Sequence, residues 1–465
     1  MTETALAAQV AAPERRRGAA AALVAAVLCL AVRFPLLFAP GCVIDQVQFA
    51  KWAQMAESGG VASLYAKRPS GEKYWCNYPP VYPYVLKGVA VVYRLGAGRP
   101  LTDEVIVDLA AGRVTEATAA LAPLLKTPAV IADALTAALL VAWLARRLSA
   151  GGALALGAVY ALTPAVVHDS AVWGQVDSIP TLLALVALES TVRRRFLAAG
   201  VFAALAVLTK AQAAVILPIV VIAALRDAAG SGRALSKGLL GAAAATALTC
   251  GPLWTARDGV LAAYTQAAGY YPFVHLNGFS AWFAANPLTE PRLDQMHRFY
   301  LRDDVALVAG LTPHGIGLAA MGLVTLAVIA RLWQRRADTV SIRWAAGVLP
   351  LAFFVLGTQM HERYLLPAVA LWAWACDGTR RWAAGWAILI LATSVNMLWA
   401  WPGPAEGWWP TAQAMHLRGG AVGSAVGIGC AISVAVVLIW TLLIHQGPTV
   451  DETGGPRYAP GKPGG

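Results

Sequence analysis

Long apolar runs recur along the whole chain and limit what it can fold into. One run lies between Gly18 and Phe38, and others of similar length follow as far as Ile444. A helix needs about 20 mostly apolar residues to cross a bilayer. Of the 465 residues, 58% are hydrophobic and 13% are charged, against about 25% charged in soluble domains. The pattern predicts an all-α polytopic membrane protein, because the alternation typical of transmembrane barrel strands is not seen.

Most basic residues form clusters between the apolar runs, and these clusters predict the topology. The net charge of +11 could indicate a nucleic-acid partner, but its distribution follows the positive-inside rule instead, so we expect none. Arg15, Arg16 and Arg17 precede an apolar run that is too long for a cleaved signal peptide. We therefore expect about twelve membrane helices, two of them short, in a plasma (inner) membrane, with both termini in the cytoplasm.

The predicted domain organisation has three parts. Residues 1–18 form a basic cytoplasmic tail, and residues 19–445 form the membrane domain. Residues 446–465 are rich in Gly and Pro and are predicted to be a disordered cytoplasmic tail. Within the membrane domain, two large polar segments, 41–127 and 255–303, are predicted as loops on the outer face.

The segment Val81–Leu95 could cross the membrane or lie on its outer surface. If it crossed, the later basic cluster Arg193–Arg195 would lie outside, against the positive-inside rule. Its tyrosines also suit the headgroup region. We therefore predict an amphipathic interfacial helix there and a second one over Asp103–Leu125, with acidic residues in its first turn.

Two further predictions concern helices in the membrane domain. The second membrane helix is predicted from about Pro128 to Leu144. Phe196–Leu225 lies between two basic clusters and is long enough only for two short helices, which would turn near Lys210. Broken helices of this kind are tolerated where they line a polar cavity.

Four groups of polar residues are predicted to face the same side of the membrane. They are Asp45, the segment Trp173–Asp177, Lys210 with Gln212, and His361-Glu362-Arg363. Ionisable residues in or at the edge of a membrane are energetically expensive and mark functional sites. Four such groups on one face indicate a site more strongly than any of them alone.

Each group also has a purely structural interpretation. Asp45 could cap the N-terminus of a helix, and Asp169 and Asp177 could do the same at other helix ends. Lys210 could extend its ammonium group to the lipid headgroups. The His361-Glu362-Arg363 group could be a set of interfacial charges.

Two of the six cysteines, Cys42 and Cys76, lie in the first predicted outer loop. The other four lie in or near apolar helices, where a small buried thiol is expected. An oxidising outer compartment permits disulfides. We hypothesise that Cys42 and Cys76 pair and hold Asp45 near Tyr78-Pro79-Pro80.

The polar motifs, taken in order, resemble those of a known superfamily. The matching residues are Asp45 and Trp52, Tyr78-Pro79-Pro80, Ile131-Ala132-Asp133, Trp173 to Ser178, Lys210-Ala211-Gln212 and His361-Glu362-Arg363. Over these residues the chain resembles the GT-C superfamily of membrane glycosyltransferases. It is most similar in pattern to the dolichyl-phosphate-glucose glucosyltransferases of N-glycan assembly and to bacterial polyprenyl-phosphate-mannose mannosyltransferases.

The resemblance implies a GT-C-like helical bundle that transfers a hexose, mannose or glucose, from a lipid-linked sugar donor. The acceptor would be a glycan, lipid or protein on the extracytoplasmic face. Asp45 would act as general base without a bound metal or other cofactor. His361 is expected to contact the donor phosphate or the acceptor, and Lys210 and Arg363 to contact the phosphate. The residues implied to bind substrate are Trp52, Tyr78, Trp173, Gln175, Asp177, Lys210, Gln212, His361, Glu362 and Arg363.

The residue types suit this chemistry. Inverting transfer needs a base that takes the proton of the acceptor hydroxyl, and a carboxylate in a partly dehydrated loop can do so. Cations such as Lys210 and Arg363 would stabilise the leaving phosphate. A lipid-linked sugar flippase or transporter would carry similar intramembrane charges and is the alternative. A non-catalytic polytopic scaffold would not need four polar groups on one face.

Overall fold

The computed structural model describes residues 3–66, 76–266, 269, 271–287, 301–401 and 420–443. Within these residues, seven helices are long and apolar enough to cross a membrane. An eighth span results if two helices that meet at a bend of 53° are counted as one. The described strands are β1 (His275–Leu276) and β2 (Met360–His361), which pair in parallel. The protein is therefore an all-α polytopic membrane protein, as its composition predicts.

We number the described helices α1 to α18 in chain order. The first nine are α1 (Glu3–Leu37), α2 (Val43–Gly59), α3 (Val81–Ala97), α4 (Asp103–Ala110), α5 (Glu116–Leu144), α6 (Ala150–Leu162), α7 (Pro164–Val167), α8 (Ser178–Val192) and α9 (Phe196–Thr209). The others are α10 (Leu217–Leu225), α11 (Ser231–Cys250), α12 (Arg257–Thr265), α13 (Ala281–Ala285), α14 (Pro313–Gln334), α15 (Thr339–Leu356), α16 (Leu366–Trp374), α17 (Arg380–Ala400) and α18 (Gly420–Leu443). Because α1 begins at Glu3, most of the predicted tail 1–18 continues the first membrane helix. The predicted tail 446–465 and parts of both predicted outer loops lie outside the described residues.

The predicted number of about twelve membrane helices is not confirmed. Four of the predicted helices, α8, α9, α10 and α16, contain 15, 14, 9 and 9 residues. Each is shorter than the roughly 20 residues that a bilayer requires. The prediction of two short helices that turn near Lys210 is confirmed. Helix α9 ends at Thr209, and a 3-10 turn over Ala211–Ile216 leads into α10.

The second long membrane helix, α5, begins at Glu116 and not at Pro128 as predicted. Its N-terminus is fixed by a reciprocal cap, in which Thr118 N donates to Thr115 Oγ1 at 3.2 Å and Thr115 N donates to Thr118 Oγ1 at 2.8 Å. The single helix predicted over Asp103–Leu125 is therefore wrong. That segment contains α4, a turn and the first part of α5, and Pro128 lies inside α5.

Helices α2, α3 and α4 pack together and against the start of α5, and they form a hydrophobic core separate from that of the bundle. Helix α3 buries one face at helical spacing, made of Tyr82, Leu86, Val89, Ala90 and Tyr93. The same helix leaves Val92 and Leu95 exposed. Its length and composition do not place it among the candidate membrane spans of the described chain. The segment Val81–Leu95 is therefore an amphipathic helix, as predicted, and its position on the outer membrane surface stays a prediction.

The bundle is tightly packed where α9 crosses α11. A Cβ atom built on Gly200 would lie 1.9 Å from the carbonyl oxygen of Gly238, and one on Gly241 would lie 2.2 Å from that of Leu197. Small residues at a crossing let two helix backbones approach closely. This crossing fixes α9, whose C-terminus leads directly to Lys210.

A buried ion pair joins four elements inside the bundle. Arg33 Nε on α1 lies 3.2 Å from Asp133 Oδ2 on α5, and neither side chain is exposed. The guanidinium also donates to the carbonyl oxygen of Ala161 at 2.7 Å and, through Nε, to Ser170 Oγ at 3.3 Å. The hydroxyl of Tyr160 donates to Asp133 Oδ1 at 3.0 Å. The pair therefore ties α1, α5 and α6 to the turn that contains Ser170.

Breaking this pair on one side should destabilise the fold. We expect Asp133→Ala to lower the free energy of unfolding by about 3–5 kcal/mol, because Arg33 would stay buried without its anion. The double substitution Arg33→Met and Asp133→Leu should recover most of that loss. The measurement is reversible unfolding in detergent micelles. Asp103→Ala is the matched control, since it breaks the exposed Lys51–Asp103 pair and should lose less than about 1 kcal/mol. Equal losses for the two single variants would contradict this account.

Candidate active site

Asp45 lies in the first turn of α2, and its side chain does not cap the helix. The cap position belongs to Cys42, whose carbonyl oxygen accepts the first helical hydrogen bond from Gln46 N at 2.9 Å. The interpretation of Asp45 as a helix cap is therefore wrong. A carboxylate in the first turn is stabilised by the positive end of the helix dipole.

Two side chains from another part of the chain bind the Asp45 carboxylate. Trp173 Nε1 donates to Asp45 Oδ2 at 2.6 Å, and Gln175 Nε2 donates to the same oxygen at 2.7 Å. Short bonds to an ionised acceptor are the strong class of hydrogen bond. Oδ1 accepts none of the described hydrogen bonds and is not fully enclosed. The carboxylate is therefore fixed through one oxygen and keeps the other available.

A π-helical turn orients the side chains of Trp173 and Gln175 towards Asp45. Residues His168–Trp173 form a single π-helical turn, and Gly174 follows with φ of 86°. A Cβ atom on Gly174 would lie 2.2 Å from Gln46 Nε2, and the positive φ would strain any other residue here. Gln46 Nε2 in turn donates to the carbonyl oxygens of Trp173 and Gly174, at 3.4 and 3.3 Å. Isolated π-helical turns are frequent at functional sites.

Lys210 lies at the break between α9 and the 3-10 turn that follows it. Its backbone is extended there, with φ of −155° and ψ of 124°. Its ammonium group donates to Asp177 Oδ1 at 2.6 Å and lies 5.8 and 5.1 Å from the ring centroids of Tyr78 and Tyr364. Cations over aromatic faces gain further stabilisation. Lys210 is buried within the protein, so the alternative in which it extends to the lipid headgroups is wrong.

Arg363 forms the second cation of the site. It follows β2, and its Nη1 donates to Glu362 Oε1 at 2.6 Å. Its Nε lies 3.6 Å from Asp177 Oδ2, so Asp177 is shared between Arg363 and Lys210. Its guanidinium carbon lies 5.7 Å from the ring centroid of Trp173, the residue that binds Asp45. Arg363 Nη2 makes none of the described hydrogen bonds and is not fully enclosed.

The charges beside Arg363 are strongly perturbed by burial and by one another. Burial alone would raise the pKa of Glu362, but the charge of Arg363 and the nearby imidazole of His361 lower it to about 2. Burial and the charge of Arg363 both lower the pKa of His361, against the opposite effect of Glu362. His361 is therefore neutral at pH 7. The two residues are close, with His361 Nδ1 3.7 Å from Glu362 Oε2.

The remaining predicted residues lie at the edge of this network. The hydroxyl of Tyr78 donates to Gln175 Oε1 at 3.4 Å. Gln212 lies beside the phenol of Tyr364. Trp52 packs behind Tyr78, with ring centroids 5.5 Å apart, and is fully buried in the core of α2, α3 and α4. We therefore assign Trp52 to the packing that supports Tyr78.

Asp169 and Tyr364 belong to the site but were not predicted as binding residues. Asp169 is buried, neither carboxylate oxygen has a described hydrogen-bond donor, and the charges of Asp177, Lys210 and Arg363 act on it. Its interpretation as a helix cap is wrong, because it lies inside the π-helical turn. Asp177 occupies a cap position but directs its side chain to Lys210. The sequence signal for Asp169 is an ionisable residue within an apolar segment.

The predicted disulfide between Cys42 and Cys76 is not present, and both residues are free thiols. Cys76 is buried, and its Sγ is directed to the carbonyl oxygen of Tyr78 at 3.6 Å. Burial raises the pKa of this thiol to about 12. The hydrogen bond from Tyr65 Oη to the same carbonyl, at 2.7 Å, shows that packing holds the Tyr78 turn in place without a cross-link.

Among the residues that the structure describes, no three His, Cys, Asp or Glu side chains are grouped so that they could hold a metal ion. The expectation that no metal is needed stays a prediction.

Comparisons with known proteins give no further identification. No protein-family model matches the chain, and no curated protein matches it.

The low pKa of Glu362 predicts a pH-dependent contribution to stability. A carboxyl whose pKa falls from 4.5 to about 2 on folding stabilises the fold by about 3 kcal/mol above pH 4.5, and this is lost as the pH falls towards 2. We expect Glu362→Gln to lower the melting temperature at pH 7 and the difference from wild type to shrink below pH 4.5. Thermal unfolding in detergent measures this. Asp304→Asn, on an exposed pair with Arg302, is the control, and a pH-independent difference for Glu362→Gln would refute the assignment.

Proposed function

We propose that this protein is an inverting glycosyltransferase that moves a hexose, mannose or glucose, from a polyprenyl-phosphate carrier to an acceptor. The proposal rests on one observation. An Asp45 carboxylate with one fixed and one available oxygen lies across Trp173 from a buried pair of cations, Lys210 and Arg363. A base beside a phosphate-binding pair is the arrangement that displacement of a sugar from phosphate requires.

Asp45 Oδ1 is the proposed base. It takes the proton from the acceptor hydroxyl while that oxygen forms a bond to the anomeric carbon. The bond from the anomeric carbon to the phosphate oxygen breaks on the opposite side, and its electron pair stays on the phosphate. Trp173 and Gln175 hold Asp45 in one orientation through Oδ2. Such pre-orientation is a large part of catalysis by a positioned group.

Lys210 and Arg363 are the proposed phosphate contacts. The departing polyprenyl phosphate gains negative charge, which fixed cations in a dehydrated site stabilise strongly. Arg363 keeps Nη2 free for this purpose, and Lys210 uses one of its three N–H donors on Asp177. His361, half-buried at the edge of the site, is proposed to contact the donor phosphate or the acceptor. The motif resemblance to the GT-C superfamily supports the same assignments.

The membrane bundle supports a lipid-linked donor. A polyprenyl chain needs an apolar surface beside the site, and the long apolar helices of the bundle offer one. The site lies where helices α2, α3 and α4 meet that bundle. We propose that this end faces the extracytoplasmic side, as the distribution of arginines predicts. A glycan, lipid or protein acceptor would reach it from the aqueous phase.

One observation favours the alternative, a lipid-linked sugar flippase or transporter. The site is built on a broken helix at Lys210 and on a pair of helices bent by 53°. Transporters bind their substrates at discontinuous helices of this kind. The two functions differ in whether a covalent bond is formed, so a transfer assay separates them.

Substitution of Asp45 tests the proposed catalytic role. We expect Asp45→Asn to lower kcat for transfer by about 10²- to 10⁴-fold, because the amide cannot take a proton, while binding of the donor is retained. The assay uses purified protein, radiolabelled short-chain polyprenyl-phosphate-mannose or -glucose, and a native lipid extract as acceptor source. Asp103→Asn is the matched control, since this carboxylate lies in the same outer segment but is exposed. Transfer by Asp45→Asn at the wild-type rate would remove Asp45 from the base role.

A further inference from the structure

The segment that carries His361, Glu362 and Arg363 is entered through a strained residue. Gln359 has φ of 63°, in the left-handed region that side chains other than glycine rarely adopt. It lies immediately before β2, and the backbone conformation at this position sets the direction of the strand. A conformation of this kind persists only where the surroundings hold it.

Asp303, from the second outer segment, is the group that holds Gln359. Gln359 Nε2 donates to Asp303 Oδ2 at 2.9 Å, and Thr358 Oγ1 donates to the same oxygen at 2.7 Å. His314 Nδ1 lies 3.4 Å from this oxygen and 3.1 Å from Thr358 Oγ1. The side chain of Asp303 is buried. Two consecutive residues, Thr358 and Gln359, are therefore bound to one buried carboxylate just before the site.

We call the contacts of Asp303 with Thr358 and Gln359 the clamp. Backbone hydrogen bonds of Asp303 connect the clamp to the rest of the fold. Asp303 N donates to the carbonyl oxygen of Pro272 at 3.0 Å, and His314 N donates to that of Asp303 at 3.0 Å. Gln359 N donates to the carbonyl oxygen of Phe273 at 3.1 Å. The clamp thus joins the residues before β1, the start of α14 and the residues before β2.

We infer that Asp303 is a positioning residue for the proposed reaction. Asp303 holds Gln359 in the left-handed conformation, which sets the direction of β2 and of the turn that follows it. In this direction, Arg363 contacts Asp177 and packs against Trp173. Asp303 acts through Gln359 and touches neither Asp45 nor the cations in any described contact. This inference rests on the proposed function for its kinetic consequence only.

The strain provides a specific test, because glycine adopts positive φ without cost. Asp303→Ala removes the acceptor that holds Gln359, and the backbone of residue 359 should then relax to a negative φ. In the double variant Asp303→Ala with Gln359→Gly, the left-handed conformation no longer needs the clamp. We therefore expect the second substitution to restore the geometry of the site without restoring the lost hydrogen bonds.

The experiment measures geometry, activity and stability in the full-length protein. Hydrogen exchange of the peptide that covers residues 357–366 should rise about tenfold in Asp303→Ala and return to near the wild-type rate in the double variant. The kcat for transfer should fall about tenfold and recover in the same way, with the KM of the donor changing less. The melting temperature should fall in both variants, since Thr358 and His314 lose the Asp303 carboxylate in both. Asp304→Ala is the control, because its carboxylate pairs with the exposed Arg302 in the described part of the chain.

The outcomes separate this inference from the proposed function. Rescue of hydrogen exchange by Gln359→Gly supports the clamp even if no transfer is detected with any protein. If Gln359→Gly rescues neither the hydrogen-exchange rate nor kcat, the inference is overturned and Asp303 is a stabilising residue only. Unchanged exchange in Asp303→Ala would overturn it as well.

Discussion

Two hydrogen bonds to one carboxylate oxygen hold the two halves of the site together. Helices α2, α3 and α4 have their own hydrophobic core, and the membrane bundle has another. Trp173 and Gln175 belong to the turn between α7 and α8, and both bind Asp45 on α2. Because these bonds cross the junction of the two cores, the orientation of Asp45 depends on both. Any substrate that enters at this junction meets a carboxylate that is already oriented.

Buried charges are energetically costly, and in this site Lys210 and Arg363 are paired with acidic side chains. Lys210 and Arg363 share Asp177, and Arg363 also binds Glu362. Breaking any one pair would leave an uncompensated charge in a low-dielectric region, which destabilises a fold by several kcal/mol. Asp45 Oδ1 and Arg363 Nη2, which make none of the described hydrogen bonds, are the groups that the proposed chemistry uses.

The fold class and much of the site could be predicted from the sequence because their signals are local. Long apolar runs indicate membrane helices, and the polar break at Lys210 interrupts one of them. Long-range contacts left no such signal. Because Thr115 caps α5, this helix begins earlier than predicted. Cys76 packs against the carbonyl oxygen of Tyr78 and does not form the predicted disulfide. The link between Asp303 and Gln359 crosses 56 residues, and no spacing rule predicts it. Short helices such as α16 leave the predicted count of about twelve membrane helices unconfirmed.

The central claim is that Asp45 acts as a base in a single displacement at the anomeric carbon. The most direct test is the anomeric configuration of the product, determined by nuclear magnetic resonance from a polyprenyl-phosphate-hexose of known configuration. The account predicts inversion, since a base-assisted attack opposite the phosphate reverses the configuration in one step. Retention would contradict it, because a single displacement opposite the phosphate cannot retain the configuration. Recovery of the donor intact on the opposite leaflet would also contradict it and would identify a transporter.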